Sequence, residues 1–325
     1  MHVFRRMCAV AAWVIFTGLA TGCGGGLSFE HHDYSQSWQT DRVRVMTANV
    51  RVNTPIDLHN NWLFRRDLLV HTIRQFNPDI LGTQETLPGQ TDYLAANLPG
   101  YAYVGRGRGE GERSGEMCSI FYRSERFVCL DRGFFWLSEE PDRPGSRSWG
   151  LFPRMVSWAK LRTRELEPRD LYVFNAHFTI AGDDERARSA ALMRQRIRRI
   201  AGEAATLVLG DFNDEPGSQA HRTLTLGHRV DDRPLVDVYR AVWPHVSRDE
   251  NTLHGFGGDR AGDRIDWILS TDEFGPLAAK IDRTHDGGRY PSDHFPVAAV
   301  LQWKPGAPAT ASADREVARP ANVVQ

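Results

Sequence analysis

The sequence predicts an α/β domain over 41–304, and three observations predict it. Segments that read as strands alternate with segments that read as helices. Polar residues cluster at the ends of apolar strand-like runs, where ligand sites of α/β domains lie. The composition, 41% hydrophobic and 25% charged over 325 residues, is that of an ordinary globular protein. A net charge of −1 argues mildly against a broad basic face for nucleic acid, although a local arginine patch would be hidden in that total.

In chain order, 1–22 reads as a signal peptide: Arg5 and Arg6 precede an apolar stretch over 9–20 that is too short to span a bilayer. The stretch ends in Leu19-Ala20-Thr21-Gly22-Cys23, which resembles the lipobox of bacterial lipoproteins. That resemblance implies export, cleavage before Cys23 and a lipid anchor on that cysteine in the cell envelope. Ala20 departs from the commonest leucine. Residues 23–40, Gly-rich and polar, read as a tether, and 305–325 as a disordered tail of Ala, Pro, Ser and charge.

Between them, 43–49 reads as a strand. The spacing of Leu68, Leu69, Thr72, Ile73 and Phe76 predicts a helix over 63–76, closed by Asn77-Pro78. A strand over 79–84 and a short helix over 88–98 follow, the helix ending at Pro99-Gly100. Then come a strand over 171–178 and a long helix over 183–203, with Ala187, Ala190, Ala191, Ile197 and Ile200 on its apolar side. Strands over 206–209, 265–270 and 295–301 complete the domain. Cys118 and Cys129 flank 119–128, which reads as a hairpin turning near Arg123-Ser124. A disulfide across it and two buried thiols are equal alternatives. No Cys-x-x-Cys spacing occurs, which excludes a zinc site of that kind.

The chemistry sits where strands stop. The run 206–209 leads into Gly210-Asp211-Phe212-Asn213, and period-two alternation puts Asp211 and Asn213 on one side. Ser292-Asp293-His294 opens the last strand-like run. A carboxylate, an amide and an Asp-His pair form a hard-metal and acid/base set suited to cutting phosphate esters. Asn49, Glu85, Asn175, His177 and Asp266 stand at the ends of other strands. Each alone has a plain structural reading: Asn49 as a turn residue, His177 as a satisfied core histidine. Together they are harder to dismiss, because burying polar groups without partners costs about 1–3 kcal/mol each.

Six motifs in this order resemble the endonuclease/exonuclease/phosphatase superfamily. They are Thr47-Ala48-Asn49-Val50-Arg51, Thr83-Gln84-Glu85, Asn175-Ala176-His177, Gly210-Asp211-Phe212-Asn213, Arg264-Ile265-Asp266-Trp267-Ile268 and Ser292-Asp293-His294-Phe295-Pro296. The resemblance implies two packed mixed β-sheets flanked by helices, a four-layer α/β/β/α sandwich. It implies that Glu85 is the principal ligand of Mg²⁺ (or Mn²⁺), helped by Asn49 and Asp293. Asp211 and Asn213 would orient the attacking water and the scissile phosphate, and Asp266 would fix the tautomer of His294, a general base or proton-bearing phosphate clamp. His177 would protonate the leaving oxygen with Glu116 as its partner. Arg154 and Asn175 would contact the substrate phosphate. The abasic-site branch carries an Asp where this chain has Arg51, which argues against base-excision repair.

The expected activity is Mg²⁺-dependent hydrolysis of a phosphomonoester, sugar phosphate or phospholipid-type substrate. A DNA or RNA nuclease is the alternative, and would need an arginine groove, for which Arg106-Gly107-Arg108 and the arginines over 186–199 are the candidates. A non-catalytic surface module on the same fold is a third and remoter reading. The segments 134–138, 144–149 and 253–256 would shape the pocket, or the first would simply be a core strand. No feature points to a protein partner.

Overall fold

The computed structural model describes residues 41–147, 149, 152–227 and 233–305; the expected signal peptide, Cys23, the tether and all of the tail beyond 305 lie outside them. The first half runs β1 (Arg42–Asn49), α1 (Trp62–Phe76), β2 (Ile80–Thr86), α2 (Pro88–Asn97), β3 (Tyr101–Val104) and β4 (Met117–Arg123). β5 (Phe127–Trp136), β6 (Met155–Thr163), β7 (Asp170–His177), α3 (Asp183–Ala201) and β8 (Ala205–Asp211) follow. α4 (Gln219–Leu226), β9 (Val236–Asp237), α5 (Val238–Val242), β10 (Asp266–Ser270), β11 (Phe274–Ile281) and β12 (Val297–Trp303) complete it.

The strands form two mixed six-stranded sheets, β11-β12-β1-β2-β4-β3 and β5-β6-β7-β8-β10-β9. Val43, Val45, Ile80 and Ile120 of the first sheet and Leu171, Val173, Leu207 and Ile268 of the second share one core between them. On the second sheet's other face, Phe174, Val208 and Trp267 pack with Ala190, Met193 and Ile197 of α3 and Leu224 of α4. On the first sheet's other face Arg44 of β1 stacks over Phe76 at the end of α1, 4.4 Å from the ring. Helices thus flank both sheets, as the resemblance implies. α1 closes at Asn77, which adopts the left-handed conformation (φ 56°) that asparagine tolerates, directly before Pro78.

One expectation fails. Residues 118–129 do not form a hairpin: β4 belongs to the first sheet and β5 to the second. Cys118 and Cys129 are both free thiols. Tyr122 and Phe127 bury into the same inter-sheet core from opposite sheets. An apolar face can be satisfied by facing across a core as well as by neighbouring on a sheet, so the residue pattern does not separate the two arrangements.

Alternation explains where polarity enters this core. Along β1 the inward positions are Val43, Val45, then Thr47 and Asn49; along β7 they are Leu171, Val173, then Asn175 and His177. β8 reads Leu207, Leu209, then Asp211. Strand register places His177 opposite Asp211, and Asp211 opposite Asp266, so three ionisable groups lie in a row across neighbouring strands.

Asn175 joins the sheets. Its Nδ2 donates to the carbonyls of Thr83 and Ser119, both at 2.9 Å, and its Oδ1 accepts from Gln84 Nε2 at 2.7 Å. Gly82 makes room for it, since a Cβ there would stand 2.9 Å from Asn175 Oδ1. With every polar atom engaged and no exposure, Asn175 has nothing left for a substrate phosphate, which corrects its expected role. Asn175→Leu removes three buried hydrogen bonds between the sheets, and should cost about 3 kcal/mol in urea unfolding. A loss below about 1 kcal/mol would mean the sheets are joined by other contacts.

Candidate active site

Glu85 ends β2 at φ 60°, a conformation that a non-glycine residue adopts only when its surroundings enforce it. The sheet register also shifts between Thr83 and Thr86. This break in alternation lets consecutive residues face the same space: Gln84 reaches Asn175 while Glu85 accepts from Asn49 Nδ2 at 3.0 Å. Its other oxygen accepts from Val52 N–H at 2.9 Å. Burial works against the Glu85 carboxylate, but these two hydrogen bonds and the charges of His294 and Arg51 hold it below the ordinary range.

Asn49 bridges the sheets a second time. Its Nδ2 also donates to Asp211 Oδ2 at 2.9 Å, while its Oδ1 accepts from Arg51 N–H at 2.9 Å. The residue expected as a metal ligand therefore presents nitrogen to the two carboxylates. Glu85, His177 and Asp211 offer ligand atoms within 4.8 Å of one another, and so do Asp211, Asp266 and His294. Carboxylate oxygens converging on one donor suit a hard cation with several waters.

Asp211 is buried, and burial raises its pKa to about 7, opposed by the charge of His294. His294 Nδ1 lies 2.9 Å from Asp266 Oδ2, and its Nε2 lies 3.8 Å from Asp211 Oδ2. Burial opposes its cation, but Asp266 and Asp211 prevail and hold it at about 10. Of the two roles expected for it, a protonated His294 suits the proton-bearing clamp. His177 is the reverse: burial, then Arg154, Arg108 and His294, push it well below its ordinary value. It is neutral near pH 7, so it holds no stored proton for a leaving group, and its Nε2 stands 3.5 Å from Asp211 Oδ2.

Two other expectations change. Asn213 does not continue the strand: it turns into the left-handed region (φ 51°), donates its N–H to Asp211 Oδ1 at 3.0 Å and its Nδ2 to Phe178 O at 3.0 Å. A turn, rather than alternation, brings it beside Asp211. Glu116 is partnered by Arg108, at 2.6 Å, instead of by His177. Burial raises the Glu116 carboxyl, with Arg108 opposing. Asp293 sits in the loop before β12, 3.6 Å from Arg51.

Glu85, Glu116, His177, Arg108 and Arg154 line one hollow backed by Met117, Cys118 and Met155. Arg154 is 8% exposed and its Nη1 has no hydrogen-bond partner. Arg108 was visible in the sequence only as a candidate for a basic groove. Its loop closes on itself, a Cβ at Gly107 being 2.3 Å from Ser114 O, and no periodicity marks such a turn. The segment 134–138 is core rather than pocket wall, with Phe135, Trp136 and Leu137 buried. Trp136 Nε1 nevertheless holds the carbonyl of Arg108 at 2.7 Å.

Residues 46–294 match the profile of the Endonuclease/Exonuclease/phosphatase family. A solved endonuclease/exonuclease/phosphatase from Bacteroides vulgatus is 32% identical, with TM-score 0.73 over 81% of this chain and 99% of that one. A mannosyl-6-phosphatase from Bacteroides thetaiotaomicron VPI-5482 is 27% identical, with TM-score 0.71 over 80% of this chain and 100% of that one. Among curated proteins, the Ccr4 3'-5'-exoribonuclease subunit of the CCR4-Not complex from Aspergillus niger is 23% identical over 58% of this chain, which spans only 35% of that protein. With the family profile covering most of its length and the two-sheet sandwich behind it, the chain belongs to the Endonuclease/Exonuclease/phosphatase family and is a phosphoester hydrolase.

Proposed function

We propose that this chain is a Mg²⁺-dependent phosphomonoesterase acting on a sugar phosphate or similar small ester, anchored outside the cytoplasm through Cys23. The unpartnered Arg154 Nη1, in a hollow backed by buried side chains and beside His177 and Glu85, carries the reading. A terminal phosphate fits a hollow closed at the back, whereas a phosphate inside a chain needs a groove open at both ends. The likeness to a mannosyl-6-phosphatase over that protein's full length supports the same class. The nuclease alternative has less support, because arginines of α3 are engaged with acids: Arg186 with Asp183 and Asp214, Arg196 with Asp142.

Mg²⁺ at Glu85, bound among the carboxylate oxygens of the site, would neutralise phosphate oxygens and acidify a water. Asp211, poised near neutrality, takes the water's proton as the water oxygen bonds to phosphorus; the ester P–O bond opposite breaks, and the departing alkoxide takes a proton from solvent water. His294 donates Nε2–H to a phosphate oxygen, its Nδ1–H fixed by Asp266. Arg154 and Arg108 hold the remaining oxygens by charge-assisted hydrogen bonds. His177 supplies a neutral hydrogen bond near Asp211.

Purified protein with Mg²⁺ should release phosphate from hexose phosphates and leave plasmid DNA and RNA intact. Nicking without phosphate release would overturn the assignment. Arg154→Ala should raise KM about 10- to 100-fold, the value of a charged hydrogen bond. His294→Ala should lower kcat by about 10² or more. Since the folded pKa of Asp211 (about 7) exceeds its unfolded value near 3.8, the carboxyl contributes stability that is full at low pH and lost as pH rises through 7. In a chelating buffer Asp211→Asn should therefore melt higher than wild type at pH 8, with the difference closing toward pH 5. Equal differences at both values would place the Asp211 pKa elsewhere. Cys23→Ser should move the protein from the membrane to the soluble fraction, and unchanged fractionation would remove the anchor.

A further inference from the structure

We infer that the Arg51 guanidinium takes the place of a second divalent cation, so that the enzyme binds one metal ion, at Glu85, and Asp293 is not a metal ligand. The inference rests on the hydrolase reading only for the presence of the first ion.

Arg51 follows Asn49 by two residues, and every part of it is held. Its φ is 57°, left-handed for a side chain that gains nothing from that conformation. Its N–H donates to Asn49 Oδ1, and its carbonyl accepts from Arg65 Nη2 and Gln90 Nε2, all at 2.9 Å. The guanidinium donates to both oxygens of Asp57, Nε at 3.1 Å and Nη2 at 2.9 Å, which leaves Nη1 facing Asp293 Oδ2 at 3.6 Å. A side chain this constrained is a fixed charge rather than a mobile surface arginine.

The two acids on either side of it are served differently from Glu85. Asp57 and Asp293 are largely buried, and the single positive charge of Arg51 lies between them, hydrogen-bonded to Asp57 and 3.6 Å from Asp293. The other oxygen of Asp293 accepts from the Ser292 hydroxyl at 3.2 Å. A divalent ion on Asp293 would lie within one contact of a guanidinium, in a site where water screens little. Mg²⁺ also demands an octahedral shell and retains several waters, and Arg51 Nη1 already stands 3.6 Å from Asp293 Oδ2, on the side such a shell would need. Glu85 has neutral donors only, the Asn49 amide and the Val52 N–H. Among the described residues no Arg, Lys or His forms an ion pair with it. Of Glu85, Asp57 and Asp293, Glu85 is therefore the carboxylate that no guanidinium contacts.

Mn²⁺ titration of the full chain, with free ion read by electron paramagnetic resonance, tests this without any substrate. Wild type should bind one Mn²⁺ per chain. Arg51→Gln, with folding confirmed by circular dichroism, should bind a second ion, which Asp293→Asn in that background abolishes. Arg51→Lys should keep one. Asp293→Asn alone should leave Mn²⁺ affinity within about threefold of wild type, whereas loss of a true ligand or its direct support costs about 10- to 100-fold. Two ions on wild type, one ion on folded Arg51→Gln, or a tenfold loss with Asp293→Asn would each overturn the inference. Phosphate release from hexose phosphates is scored separately, so the stoichiometry can fail while the substrate class stands, and the reverse.

Discussion

The amide of Asn49 is the contact on which the catalytic arrangement depends. It donates to Glu85 on its own sheet and to Asp211 on the other. Neither sheet holds a complete set of chemical groups. The first contributes Asn49 and Glu85; the second contributes His177, Asp211 and Asp266, and the loop before β12 adds His294. A shift of one residue in the packing of the sheets would part them. The Gln84–Asn175 pair lies just behind and resists that shift with hydrogen bonds that cannot be exchanged for water.

Assembling the site costs stability. Arg51 and Glu85 both have positive φ, each a local strain of order 1–3 kcal/mol. Asp211 and Asp266 are both 1% exposed and face one imidazole. The large apolar inter-sheet core offsets these losses, which is why the polar groups gather at one end of the strands and leave the other end to Val, Leu and Ile. Strain at Glu85 has a direct return: without it, alternation would turn the carboxylate away from Asn49.

Much of this was legible in the residues. Apolar strand-like runs located β1, β2, β7, β8 and β10 to within two residues, and the polar groups at their ends marked the site. Glu85 and His294 were found through family motifs as much as through pattern, since neither continues a regular strand. The misreadings share one cause. Sequence pattern reports which face of a segment is buried, not what lies opposite. It could not tell that β4 and β5 enter different sheets, that Asn175 points at backbone carbonyls, or that Glu116 meets Arg108 before it meets His177. Arg108 showed only as part of a possible basic groove, because its place beside Glu116 comes from a glycine-rich turn with no period.

The pairing of β1 with β12 has a consequence for how the domain can be mounted. Arg42 lies opposite Gln302, so the chain enters and leaves the fold side by side. Asn49 and His294 stand at the far end of the same two strands, about 20 Å away at 3.3 Å per residue. Arg42 and Gln302, where the described chain enters and leaves these two strands, therefore lie at the rear of the fold. The catalytic groups occupy the opposite end, so these chain ends and the site do not compete for one edge of the sheet.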